Sequence, residues 1–141
     1  MSYDPTKGVV EVKKAGTSTY VKIPLKFIAY ESYKCTRNML DLDSYRTETG
    51  VLWRNALSHR ATKIEFETPY ITSTDWMTIR NIIHDGYTDS TARKLELRYY
   101  NTETDSYSTG TFYRPDIEFN IRNVDGNIIN YNGIRIAFIE Y

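Results

Sequence analysis

The side chains best able to do chemistry in this chain are two histidines, one cysteine and a scatter of carboxylates. A zinc site groups its ligands at short, regular spacings. His59 and His84 stand far apart, neither belongs to a His-x-x-x-His pair, and Cys35 has no second thiol to join it. His59 lies beside Arg60 between two expected strands; His84 falls at the end of an expected helix, where a cation is favoured by the helix dipole. Both read as structural. Asp41-Leu42-Asp43 and Glu103-Thr104-Asp105 are paired acids in expected loops, but a calcium loop requires further oxygen ligands at fixed offsets and an internal glycine, which both lack. They read as solvated turn residues. A glycosidase uses two carboxylates at arbitrary sequence separation, so spacing identifies no such pair. The chain also lacks a Gly-x-Ser-x-Gly elbow, a phosphate-binding glycine-rich loop and a dinucleotide fingerprint. The expectation is a protein without catalytic, cofactor-binding or metal-binding residues, and not an enzyme.

Aromatic chemistry is the remaining possibility, because 13 of the 141 residues are tyrosines. Tyrosine stacks on sugars and bases. It also supplies large apolar area with a polar tip, which subunit interfaces use. Lys and Arg number 18, and Asp and Glu number 18, giving zero formal charge, whereas a nucleic-acid binder carries a basic excess or stripe. Low net charge also favours self-association. The interface reading is preferred, with a carbohydrate-binding platform of Tyr99, Tyr100, Tyr107 and Tyr113 as the alternative from another class. No sequence-specific contact with nucleic acid is expected.

The length fits one domain over residues 1–141, able to bury about two thirds of its unfolded surface. A single cysteine forms no internal disulfide, consistent with folding in a reducing bacterial cytoplasm. Met1-Ser-Tyr-Asp-Pro has no basic-then-apolar leader pattern, and no apolar run approaches the roughly 20 residues of a membrane span. No membrane association is expected.

Residue usage, rich in Tyr, Ile and Thr, favours strands. Val10 and Val12, a turn at Ala15-Gly16-Thr17-Ser18, and Val21 and Ile23 predict an opening hairpin that Pro24 closes. A second strand is expected over 27–36, then a long connection over 38–50 that is apolar for a solvated loop, holding Met39, Leu40, Leu42 and Tyr45. Such residues cover either the domain's own core or a neighbouring subunit. Further strands are expected over 51–57 and, by strict alternation, at Lys63–Glu67. One helix is predicted at about 73–84, capped by Thr72, Ser73 or Thr74, with Trp76, Ile79, Ile82 and Ile83 as its apolar stripe and Gly86 as a left-handed stop. Leu95, Leu97 and Tyr99 alternate with charges, and a polar turn is expected at 101–108. Runs beginning at Phe112 and covering Ile117, Phe119 and Ile121 follow, then a tight turn at Val124-Asp125-Gly126-Asn127. Ile134, Ile136 and Phe138 line one face of the last strand, and Ala137, Ile139 and Tyr141 line the other. Apolar residues on both faces place that strand between layers or beneath another protomer.

Several segments share an order with a known family. Arg46, Gly50 and Leu52 lead into a strand; Lys63-Ile64-Glu65-Phe66 alternates; Thr74-Asp75-Trp76 opens the helix. Leu97-Arg98-Tyr99-Tyr100, Gly110-Thr111-Phe112-Tyr113 and the ending Tyr131-Asn132-Gly133-Ile134-Arg135-Ile136-Ala137-Phe138-Ile139-Glu140 follow. In this order the chain resembles small uncharacterised tail proteins of long-tailed (siphovirus-type) phages and prophages of Gram-positive bacteria. That resemblance implies a mainly β (α+β), tail-tube-like β-sandwich or flattened barrel with one flanking helix, assembled as a hexameric ring. It further implies a structural virion protein, a distal-tail hub adaptor or tube component, with a head-proximal terminator as the near alternative. Expected partners are copies of itself and neighbouring tail proteins, in a virion tail assembled in the host cytoplasm. The expected subunit contacts are Met39, Leu40, Leu42, Tyr45, Ile139 and Tyr141.

Overall fold

The computed structural model describes residues 3–41 and 44–141, with side chains throughout except at Met39, Asp41 and residues 57–60. The described residues are mainly β with one α-helix. The strands are β1 (Val10–Lys13), β2 (Tyr20–Lys22), β3 (Lys34–Asp41), β4 (Tyr45–Arg46), β5 (Leu52–Trp53), β6 (Ala56–Glu67) and β7 (Ile71–Thr72). After the helix α1 (Ser73–Asp85) come β8 (Lys94–Asn101), β9 (Ser106–Tyr113), β10 (Ile121–Asp125), β11 (Ile128–Tyr131) and β12 (Arg135–Glu140).

Seven strands form one antiparallel sheet in the order β2-β1-β8-β9-β12-β6-β3. Period-two alternation sends one set of side chains to a single face. Val10, Val12, Leu95, Leu97, Phe112, Ile136, Phe138, Ile64 and Phe66 are all fully buried there. The helix closes that face with Ile79 and Ile83. It also meets a separate sheet, β10-β11-β7. The large sheet rolls towards itself: the Tyr33 hydroxyl, just before β3, donates to the Tyr100 carbonyl of β8 at 2.7 Å, although three strands separate β3 from β8.

The opening hairpin and the alternating strands at 63–67 and 94–99 form where the sequence predicts them. The helix matches its expected span, with Thr72 as cap, its Oγ1 accepting the Asp75 amide at 3.2 Å. Gly86 differs from expectation. Its φ is −88°, so no left-handed stop is made. It is a glycine for lack of space, since a Cβ there would lie 2.2 Å from Val12 Cγ1.

Four stretches depart from the sequence reading. Residues 27–33 are not a strand: Leu25–Phe27 make a 3-10 turn after Pro24, and Glu31 takes a φ of 64°, reversing the chain. Residues 38–50 are not one loop, because Asn38–Asp41 extend β3 and Tyr45–Arg46 form β4. The strands expected at 51–57 and 63–67 are divided elsewhere, with β5 stopping at Trp53 and a continuous β6 that carries His59 within it. Phe112 lies near the end of β9, not at the start of a run, and residues 114–120 cross the helix without pairing, as Pro115 offers no amide to a ladder.

Candidate interaction surfaces

No helix among the described residues is long and apolar enough to cross a membrane, and no three His, Cys, Asp or Glu side chains there are placed to hold a cation. Burial raises the Cys35 thiol pKa, which keeps it protonated and weakly nucleophilic. His84 is exposed at the end of α1 and tilts against Tyr87 at 4.8 Å between centroids. Burial, then Arg80 and Arg114, lower its pKa, so its surroundings oppose the cation that the helix end alone would favour. The surfaces that stand out are contact surfaces.

The first is an arm. Beyond the β3–β6 pairing, which runs out at Asp41 opposite Ala56, the chain makes the small β4–β5 hairpin, with Tyr45 opposite Trp53 and Arg46 opposite Leu52. Its turn is tied internally. The Thr47 amide donates to the Val51 carbonyl at 2.8 Å, and Arg46 Nη1 donates to the Gly50 carbonyl at 2.9 Å. Gly50 has a φ of 86°, a conformation that a side chain would strain. Four large apolar side chains stay in water: Tyr45 is 60% exposed, Val51 55%, Leu52 44% and Trp53 58%.

The second surface is the other face of the sheet, which is tiled with paired charges. Arg98 grips Glu11 through Nε and Nη2 at 2.8 and 2.9 Å, and Lys13 meets Glu96 at 2.8 Å. Arg135 pairs with Glu65, whose carboxyl is raised by burial but lowered further by Arg135, Lys63 and Lys34, for a net fall. Ile139 is half-buried in this face, opposite Tyr113. Tyr141, exposed, packs edge-on against Tyr113 at 5.8 Å with Lys94 Nζ 4.8 Å from its ring.

The third surface is a groove of about 380 Å³ beside α1, walled by Trp76 and Phe119 and rimmed by Arg80, His84, Arg93 and Arg114. The two aromatic rings meet edge-to-face at 4.9 Å. Arg93 pairs with Asp116 at 2.6 Å, and Arg114 Nε donates to the Tyr87 hydroxyl at 2.8 Å.

Of the expected contact residues, Tyr45 is exposed on the arm, Leu40 is half-buried at its root, and Ile139 and Tyr141 share the charged face. The Met39 side chain and Leu42 lie outside what is described. The structure thus separates the four described ones into two surfaces. Sequence reading missed Val51, Leu52 and Trp53 as contact candidates because a strand was expected to bury part of them. It missed the groove arginines because they come from the helix and from the two ends of a distant hairpin.

The tyrosine platform does not form. Tyr99 is buried against Phe112, while Tyr100, Tyr107 and Tyr113 point to the opposite face and are half-buried. The Tyr107 hydroxyl is consumed by the backbone, donating to the Gly8 carbonyl at 2.7 Å and accepting from the Asp4 amide at 3.0 Å.

A known structure shares this architecture. A chain from the tail of an empty gene transfer agent particle, determined by helical refinement with C6 symmetry, aligns over 99% of this chain and 95% of its own, with a TM-score of 0.52 at 14% identity. A chain of the native gene transfer agent virion aligns over the same shares, with a TM-score of 0.48 at 13% identity. The first of these shows that the fold is one used in a phage-like tail. Among curated proteins, none matches the chain in sequence. The protein belongs to the family of unknown function DUF6711, whose model matches residues 14–141 and so takes in much of the amino-terminal third.

Proposed function

We propose that the protein is a structural, non-enzymatic component of a phage-like tail, whose copies join into a ring of six. The observation that carries this reading is the arm. Its four large apolar side chains add little to the folding of the chain that bears them, and an isolated two-stranded hairpin is marginal in water. Seating them on a neighbour removes that area from water, worth about 1.5–3 kcal/mol for each side chain fully covered. Ring closure joins different faces of successive protomers. The arm, Tyr45 to Trp53 with Leu40 at its root, is one such face, and Ile139 with Tyr141 marks a second. The likeness to a chain of a C6-symmetric tail supports six copies. Within the tail, a ring of the tube or a distal ring adapting it to the receptor-binding apparatus is preferred to a head-proximal terminator, with assembly in the host cytoplasm.

Light scattering with negative-stain imaging tests the proposal. The purified chain, alone or with neighbouring tail proteins, should give rings of six. A chain that stays monomeric at high concentration and with those partners contradicts it.

A further inference from the structure

The β8–β9 hairpin is charged oppositely at its two ends. At its open end, where Lys94 faces Tyr113, Arg93 and Arg114 flank the strands and join Arg80 of α1 around the groove. At its closed end, beyond Asn101 and Ser106, the exposed turn carries Glu103 and Asp105. Three guanidiniums less the Asp116 carboxylate leave two positive charges, equal to the two negative charges of the turn. Arg80 makes no hydrogen bond or ion pair among the described residues. The turn is held in shape, the Glu103 amide donating to Asn101 Oδ1 at 3.0 Å and the Tyr100 hydroxyl donating to Asp105. Glu103 is exposed on this tied turn. Strands of this length hold the two ends about 24 Å apart, so the turn does not reach its own groove.

We infer that copies stack end to end, the Glu103–Asp105 turn of one entering the groove formed by Arg80, Arg93 and Arg114 of the next. The inference rests on the ring reading but uses different surfaces. The arm closes a ring sideways, whereas this contact runs along the strands and leaves both outer ends open, as an axial stack requires. Carboxylate against guanidinium gives directed, charge-assisted bonds, and opposite poles on a chain of zero net charge fix the order of assembly. A nucleic-acid strand is the other anion such a groove attracts. It is disfavoured because the basic patch is short and no basic stripe continues it.

Charge exchange tests the contact in the full chain. Arg80→Glu and Glu103→Lys should each leave single rings intact but raise the concentration for half-maximal stacking about tenfold or more, as expected for losing a close charge pair. The double variant carries the same pair reversed and should return to about threefold of the parent or closer, since a restored pair recovers most of its coupling. Stacking by the parent should weaken as salt rises. Thermal melting of each variant checks folding, and Arg80→Gln with Glu103→Gln replace any variant that unfolds. Rings that stack equally well in both single variants overturn the inference and leave the ring reading standing. So does loss of stacking that the double variant fails to restore. If a single-stranded DNA oligonucleotide binds the parent but not Arg80→Glu, while Glu103→Lys stacks normally, the groove takes nucleic acid and the inference also fails. A chain that never leaves the monomer sinks both proposals.

Discussion

Two hairpins of this protein have opposite fates. β8–β9 pairs along the whole of both strands, and β8 buries every second residue: Leu95, Leu97, Tyr99 and Asn101. β4–β5 pairs at two positions only, and its apolar side chains face water. The first is flanked by β1 at Leu97–Tyr99 of β8 and by β12 at Phe112 and Tyr113 of β9, and its inward face is covered within the chain. The second is a separate two-stranded sheet with no third strand among the described residues. A hairpin whose apolar residues lie within a rolled sheet builds the body, and one whose apolar residues project beyond it is available to another molecule. Composition alone does not distinguish them. Pairing partners do.

The sharpest test of this contrast is in the body. Phe112 is fully buried in β9 and meets Tyr99 edge-on at 5.6 Å. Phe112→Ala should lower the unfolding free energy by about 3–5 kcal/mol, the lost transfer energy plus the cavity left behind. Urea denaturation of the dilute chain measures it. A loss under about 1 kcal/mol, the range of surface substitutions, would mean that β8–β9 is no better rooted than the arm.

A smaller effect is expected at the seam between the two regions. Tyr33 lies at the root of β3, the strand that leads to the arm, and its hydroxyl bonds the end of β8. Burial, with smaller contributions from Cys35 and neighbouring tyrosines, raises its pKa well above the usual value near 10. Above about pH 10 the unfolded chain releases this proton while the folded chain keeps it, so the folded state binds more protons and stability falls as pH rises. The contribution is fully present below pH 10. Each proton so retained lowers stability by about 1.4 kcal/mol per pH unit above that point. Tyr33→Phe should flatten the alkaline fall in melting temperature, though Tyr3, Tyr99 and Tyr100, also raised, keep part of the slope. An unchanged slope would remove Tyr33 as a seam.

What was legible in the sequence follows the same division. Strands that bury one face and wet the other show strict alternation, and Lys63–Glu67 and Lys94–Tyr99 could be read residue by residue. The helix was legible because its cap and stripe are local. The arm was not, because Met39, Leu40 and Tyr45 interrupt polar residues without a period, and whether such a stretch is loop or strand depends on its partner. For Met39 and Leu40, in β3, that partner is β6, which begins after a break at Arg54-Asn55; for Tyr45 it is β5. The apolar content of the stretch does set it apart from a solvated loop, and Tyr45 stands exposed within it. The groove left no trace in sequence. Arg80, Arg93 and Arg114 fall on three different elements and are brought together only when α1 packs beside the open end of β8–β9.

The smallest expected effect on stability separates the arm from the body most cleanly. Trp53 is 58% exposed and pairs across the hairpin only with Tyr45, itself 60% exposed. Trp53→Ala therefore leaves no cavity in the core and no buried group unpaired, and should change the unfolding free energy of the dilute chain by about 0.5 kcal/mol or less. The same substitution should strongly impair lateral assembly, because a large aromatic side chain contributes to binding only where a partner excludes water from it, and interface tryptophans commonly cost about 2 kcal/mol or more when truncated. Paired measurements, urea denaturation at low concentration and light scattering at high concentration, separate the two effects. If Trp53→Ala destabilises the monomer as Phe112→Ala does, the arm is part of the core after all. If it changes neither quantity, its exposed aromatic surface faces no copy of this chain, and the lateral contact must be sought at Ile139 and Tyr141.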